Sequence, residues 1–184
     1  MSLLATLPFT PEPVSLSAGD HVFRQGDTDR RLYVVESGLL KAYYLSEDGR
    51  ETIKSFIQAS DVIGSLSAAY QKGPCSFSLV CQEDSIVAPV DFDALLAESA
   101  KRPELAATVI RFLLSFAMKK ERRERELLCL SAEARYRDLL DRSPDLLHRL
   151  KQKDIARYLG ITPVALSRIR SRTALSAGEP HGDH

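Results

Sequence analysis

The sequence is poor in the residues that metal and redox chemistry use. Its three cysteines, Cys75, Cys81 and Cys129, form no Cys-x-x-Cys pair, and the odd count argues against a disulfide framework, so reduced thiols are expected. Histidine is equally scarce. His21 is the only one before His148, too few to converge with glutamates on a metal, and a lone histidine near a strand start makes no haem site. His181 and His184 have metal-like spacing but lie in a small, polar tail. No apolar run is long enough to span a bilayer, and Met1 to Pro8 has no basic n-region, which predicts a cytoplasmic protein without membrane contact. Neither sign of charge is in excess, with Lys plus Arg and Asp plus Glu both 25, so a nucleic-acid signal has to be local. No catalytic residue, metal or cofactor is predicted.

What is present divides the chain. At 184 residues and 44% hydrophobic content it is long enough for two small domains with real cores. From Gly19 to Pro89, turn signals such as Gln25-Gly26-Asp27, Ser37-Gly38, Asp48-Gly49 and Ser60-Asp61 separate short runs rich in β-branched, aromatic and leucine residues. Those runs, Val22-Phe23, Leu32–Val35, Leu39–Leu45, Thr52–Ile57, Phe77–Cys81 and Ile86-Val87, predict strands of a sandwich or barrel, with a hairpin at Asp48-Gly49. Cys75 and Cys81 read as small buried residues of this part.

Helical signals follow. Asp91 to Glu98 is a short helix, and a long one runs from Glu104 to Leu130, where Leu105, Val109, Phe112 and Phe116 keep the 4-3-4 spacing of a partner-helix seam and predict a dimer interface. The run Lys119 to Glu126 alternates in sign and reads as a solvated face, with Glu121 reaching Arg125 and Arg122 reaching Glu126. Ser131 caps a further helix that closes near Ser143-Pro144. Gln152 to Arg172 concentrates Lys153, Arg157, Arg168, Arg170 and Arg172 against Asp154 alone. Ala156 and Gly160 fall where two helices cross and turn, Ile155, Leu159, Ile161, Leu166 and Ile169 form a seam, and Thr162-Pro163 starts the second helix. This predicts a helix-turn-helix that meets DNA through Gln152, Lys153, Thr162, Ala165, Ser167, Arg168, Arg170 and Arg172. From Thr173 the composition predicts disorder.

In this order the pieces Gly19-Asp20-His21-Val22-Phe23, Gln25-Gly26-Asp27, Leu32 to Gly38, Asp48-Gly49-Arg50-Glu51, Asp61-Val62-Ile63-Gly64 and Gln152 to Ile169 resemble the Crp/Fnr regulators, the family of the cyclic-AMP receptor protein, over nearly the whole chain. The resemblance implies an α+β fold: a double-stranded, jelly-roll-like β-roll effector domain over residues 1–102, a dimerisation helix over 103–130, a helix-turn-helix domain over 131–172 and a tail over 173–184. No strand-like segment follows Arg172, so the usual wing is expected to be missing. In cyclic-nucleotide-binding relatives a glycine and a glutamate open a short helix at the phosphate, and an arginine follows. Here Gly64 matches, Ser65 stands in the glutamate position and Cys75 in the arginine position, so an effector pocket of Gly64, Ser65, Leu66, Cys75 and Ser76 is expected to decline cyclic nucleotides. In the recognition helix Pro163 and Val164 replace the relatives' early Arg-Glu pair, leaving Arg168 as the base reader.

The implied function is a homodimeric transcription regulator, with DNA, an unidentified small-molecule effector and RNA polymerase as partners. An adaptor that has lost DNA binding competes with it, favoured by the missing wing and neutral charge. A cupin-like metalloenzyme shares the roll but lacks its ligands.

Overall fold

The computed structural model describes residues 3–177, which fall into two compact units, one ending at Met118 and the other beginning at Lys119. The first is built on eight strands: β1 (Val14–Leu16), β2 (His21–Phe23), β3 (Arg31–Ser37), β4 (Leu39–Leu45), β5 (Glu51–Gln58), β6 (Val62–Ile63), β7 (Ser78–Cys81) and β8 (Ser85–Asp91). They form two antiparallel sheets ordered β1-β8-β3-β6 and β2-β7-β4-β5, the β-roll that the sequence predicts. β1 and β6, of three and two residues, carry too little pattern to be seen in sequence. β8 outruns Ile86-Val87 because Pro89 falls past the end of β1, where β8 has no neighbour on that side.

The Leu32–Val35 run is apolar without alternation because β3 is buried on both faces. Tyr33 and Val35 join Phe23, Leu40, Ile57 and Leu79 between the sheets. Leu32 and Val34 face the other way, where Ala88, Val90, Phe92, Leu95, Leu105 and Val109 cover them. Three helices supply that cover and its surroundings: α1 (Leu66–Ala69), α2 (Phe92–Ser99), capped by Asp91, whose side chain accepts from the Ala94 N–H, and α3 (Pro103–Cys129).

The predicted dimer seam is therefore corrected at Leu105 and Val109, which the chain itself buries, while Phe112 and Phe116 are only half-buried. Leu105 and Val109 are 1% and 6% exposed against this chain's own roll, Phe112 packs beside them and Phe116 packs against the inter-sheet core. Each fully buried side chain of this size stabilises the unit by about 1.5–3 kcal/mol, so at Leu105 and Val109 the spacing records an intramolecular contact. The division between compact units also falls inside α3, not at its ends.

The second unit holds the end of α3 and α4 (Ala132–Arg142), α5 (Pro144–Arg149), α6 (Gln152–Leu159) and α7 (Pro163–Ala177). Its core gathers Tyr136, Leu139, Leu146, Ile155, Ala156, Leu159, Leu166 and Ile169. Among the described residues no strand follows α7. The disorder predicted from Thr173 overlaps α7, which continues to Ala177, and the remainder lies outside the described residues. His181 and His184 lie outside the described residues.

Candidate nucleic-acid interface and effector pocket

The turn between α6 and α7 is set by two local signals. Gly160 closes α6 at φ +70, a left-handed conformation that side chains resist, and the Ile161 N–H reaches back to the Ala156 carbonyl at 3.0 Å. Thr162 then opens α7, its Oγ1 accepting from the Ala165 N–H at 3.2 Å, with Pro163 in the first helical position where no N–H is needed. Ala156, fully buried, is small enough for the helices to meet, and Ile155, Leu159, Leu166 and Ile169 fill the seam, while Ile161 is only half-buried.

Seven of the eight predicted DNA residues are exposed: Gln152, Lys153, Thr162, Ser167, Arg168, Arg170 and Arg172, with Ala165 half-buried. Gln152, Ser167 and Arg170 line one groove of about 500 Å³ with Tyr136, Leu140, Ser171 and Thr173. Arg168 and Arg170 make no ion pair among the described residues and are open to an anionic partner. Arg172 differs, since its Nε and Nη2 donate to Glu133 Oε2 at 3.2 and 2.9 Å and tie α7 to α4. It serves the fold of this unit.

The charged run Lys119 to Glu126 opens this unit, and six of its eight residues are exposed, the solvated face expected from its alternation, from which Arg123 and Glu126 depart. Glu126 is buried, with Arg142 Nη2 at 2.7 Å and Arg123 Nη1 at 3.7 Å. The Arg123 guanidinium lies 3.8 Å from the Tyr158 ring centroid and donates to the Tyr158 carbonyl, and burial pushes the Tyr158 phenol above its ordinary range. Arg135 Nη1 donates to the Leu130 carbonyl at 2.6 Å and its Nη2 to the Leu159 carbonyl at 2.9 Å, a cation shared by the ends of α3 and α6. Sequence spacing finds i,i+4 pairs on a helix but not partners brought from another helix.

In the roll, the five predicted pocket residues lie together, but their polar groups are largely turned on each other. Ser65 is buried, its Oγ accepts from the Ser76 N–H at 3.1 Å, and it stands 2.9 Å from Ser67 Oγ. Gly64 is packed so closely on β3 that a Cβ would stand 2.6 Å from Leu32 Cδ2 and 2.8 Å from the Arg31 carbonyl oxygen. Leu66 packs beside the helix-side core. Cys75 is buried in the inter-sheet core, its Sγ donates to the Asp29 carbonyl at 3.5 Å, and burial pushes its thiol up, which makes it a core residue and not a reactive one. Cys81 shares that core, and Cys129 is exposed. His21 Nε2 stands 2.9 Å from the Tyr43 hydroxyl. Among the described residues no group of three or more His, Cys, Asp or Glu is arranged to hold a metal, and no helix is long and apolar enough to cross a membrane.

Two features escaped the sequence reading. Lys54 Nζ stacks 4.6 Å from the Phe77 ring centroid and 5.3 Å from that of Phe116, which joins α3 to the roll. On the opposite side of α3, Ile110, Leu114 and Met118 are 56, 59 and 63% exposed. Their spacing of four is a helical stripe as regular as the buried one, and it was legible once the other stripe was assigned.

A β-roll, a long helix and a helix-turn-helix in one chain define a class of regulator-like fold, and comparison with known proteins agrees. Residues 13–101 match the cyclic nucleotide-binding domain family. The chain is 30% identical over 171 residues to the fumarate and nitrate reduction regulatory protein of Yersinia pestis, covering 85% of this chain and 66% of that one. It is 33% identical over 112 residues to the CRP-like cAMP-activated global transcriptional regulator of Mycobacterium tuberculosis, covering 61% and 50%. The fold is similar to that of FixK2 from Bradyrhizobium japonicum, with a TM-score of 0.78 at 20% identity over 95% of this chain and 90% of that one. The chain belongs to the Crp/Fnr family. It spans between half and two thirds of the length of these two curated relatives.

Proposed function

We propose that this protein is a homodimeric, sequence-specific DNA-binding transcription regulator of Crp/Fnr type, gated by an effector still to be identified. The observation that carries the reading is the capped α7 with Arg168 and Arg170 exposed and unengaged beside a glycine-closed α6, the arrangement that lays a helix in the major groove. Overall neutrality does not oppose it, because phosphate contacts need only a local cluster, here Lys153, Arg168 and Arg170. Lys153 and Arg170 hold phosphates and Arg168 reads a base. The dimer forms through the Ile110, Leu114 and Met118 stripe, and RNA polymerase is a further partner if the protein acts as an activator. Selection from a random duplex pool with the full chain tests the reading: recovery of a two-fold-related site supports it, and a pool left unenriched favours the adaptor that has lost DNA binding.

Cyclic AMP is not the effector. The relative from Mycobacterium tuberculosis is named for activation by that nucleotide. In this chain the arginine position is the buried Cys75, and the Ser65 hydroxyl is taken by Ser76 and Ser67. A phosphate placed there lacks the arginine that offsets its desolvation in cyclic-nucleotide-binding relatives. Calorimetry with cyclic AMP is expected to give no heat of binding at micromolar nucleotide and no change in operator affinity. Low-micromolar dissociation with tighter operator binding would contradict it.

A further inference from the structure

The first turn of α7 sets an apolar side chain in the open. Val164 is 62% exposed, while Leu166 and Ile169 on the same helix are 0% and 4% exposed. The solvent side of α7 carries Val164, Ser167, Arg168 and Ser171, the i, i+3, i+4 and i+7 positions of one face. Helix propensity does not account for valine here, since β-branched residues are indifferent helix formers. The backbone at this point is held by the Thr162 cap and Pro163, and the valine side chain has a single restricted torsion. It is a small apolar knob at a fixed place beside Arg168.

Four residues of helix advance about 6 Å along the axis. That is close to two base-pair steps at roughly 3.4 Å each, so the two side chains address neighbouring positions of one groove. In the major groove thymine alone among the bases offers a methyl group, while the others present hydrogen-bonding groups that valine leaves unsatisfied. Resting on the DNA-binding reading above, we propose that Val164 is a specificity residue that packs on the 5-methyl of a thymine about two base pairs from the guanine held by Arg168. The loss of a polar reader at this position is then an exchange of hydrogen-bond reading for methyl reading.

Deoxyuridine differs from thymidine only by that methyl, which makes the test narrow. The full chain is titrated against duplexes carrying its selected site, with each thymine of a half-site replaced in turn by deoxyuridine. One position per half-site is expected to weaken binding by about fourfold, the value of one buried methyl. At that position Val164→Ala is expected to bind the thymine and deoxyuridine duplexes equally, while keeping its preference for the guanine. The inference is overturned if no thymine is sensitive in the wild-type protein, or if Val164→Ala keeps the wild-type ratio between the two duplexes. If the protein then still prefers its guanine and loses that preference in Arg168→Ala, the DNA-binding reading survives alone. A protein that enriches no duplex overturns both.

Discussion

Glutamate at both Ile110 and Leu114 is expected to turn the protein into a monomer that no longer holds a two-fold DNA site. These side chains are more than half exposed on α3, a face the roll leaves uncovered. In a symmetric pair each contributes twice, and four aliphatic side chains at about 1.5–3 kcal/mol each supply roughly 6–12 kcal/mol, the range that separates a stable dimer from free chains. Glutamates there add like charges facing one another across the two-fold axis. Sedimentation velocity at micromolar protein reads the result directly, and a double variant that still sediments as a dimer removes this face from the interface. Leu105→Ala gives the contrasting outcome. It leaves a cavity against Leu32 and Val34 and lowers the stability of the first unit by about 2–5 kcal/mol, with association unchanged at temperatures where the unit is folded.

Removing the guanidinium of Arg168 is expected to cost about 1–3 kcal/mol per half-site and to flatten the preference at one base pair. Its planar fork suits guanine O6 and N7, and no carboxylate among the described residues holds it back. Lys153→Ala is the control, because a phosphate contact weakens all sequences alike and reduces the slope of affinity against salt by about one counterion. Binding of both variants to the selected operator and its single-base changes, each across a salt series, distinguishes the roles. Uniform weakening by Arg168→Ala would place it on the phosphate backbone instead.

The helix-turn-helix was legible in the sequence because its geometry depends on single residues with no substitute nearby. Gly160 supplies the left-handed turn, Thr162-Pro163 the start of α7, and Ala156 the close approach. The roll was legible where a strand is long enough to show a pattern, as in Leu39–Leu45, and not where β1 and β6 pair over two or three residues. α3 misled because it is apolar on two sides. Its Leu105-Val109-Phe112-Phe116 stripe and its Ile110-Leu114-Met118 stripe have similar periods, and periodicity carries no information about which one the chain itself covers. Glu126 misled for a related reason, since its partner Arg142 comes from another helix, sixteen residues away. In the pocket, sequence identified which residues meet at Ser65 and Cys75 but not that Ser76 and Ser67 would occupy the serine hydroxyl.

The hydrogen bonds of Arg135 bear on how stiff the second unit is in torsion. One guanidinium grips the Leu130 carbonyl at the end of α3 and the Leu159 carbonyl at the end of α6, and α6 passes directly through Gly160 into α7. A twist of the last turn of α3 is therefore delivered to α6 through a rigid planar group with little slack. The end of the helix behaves as a shaft keyed to the element it turns, and the keys are Arg135 and Arg123.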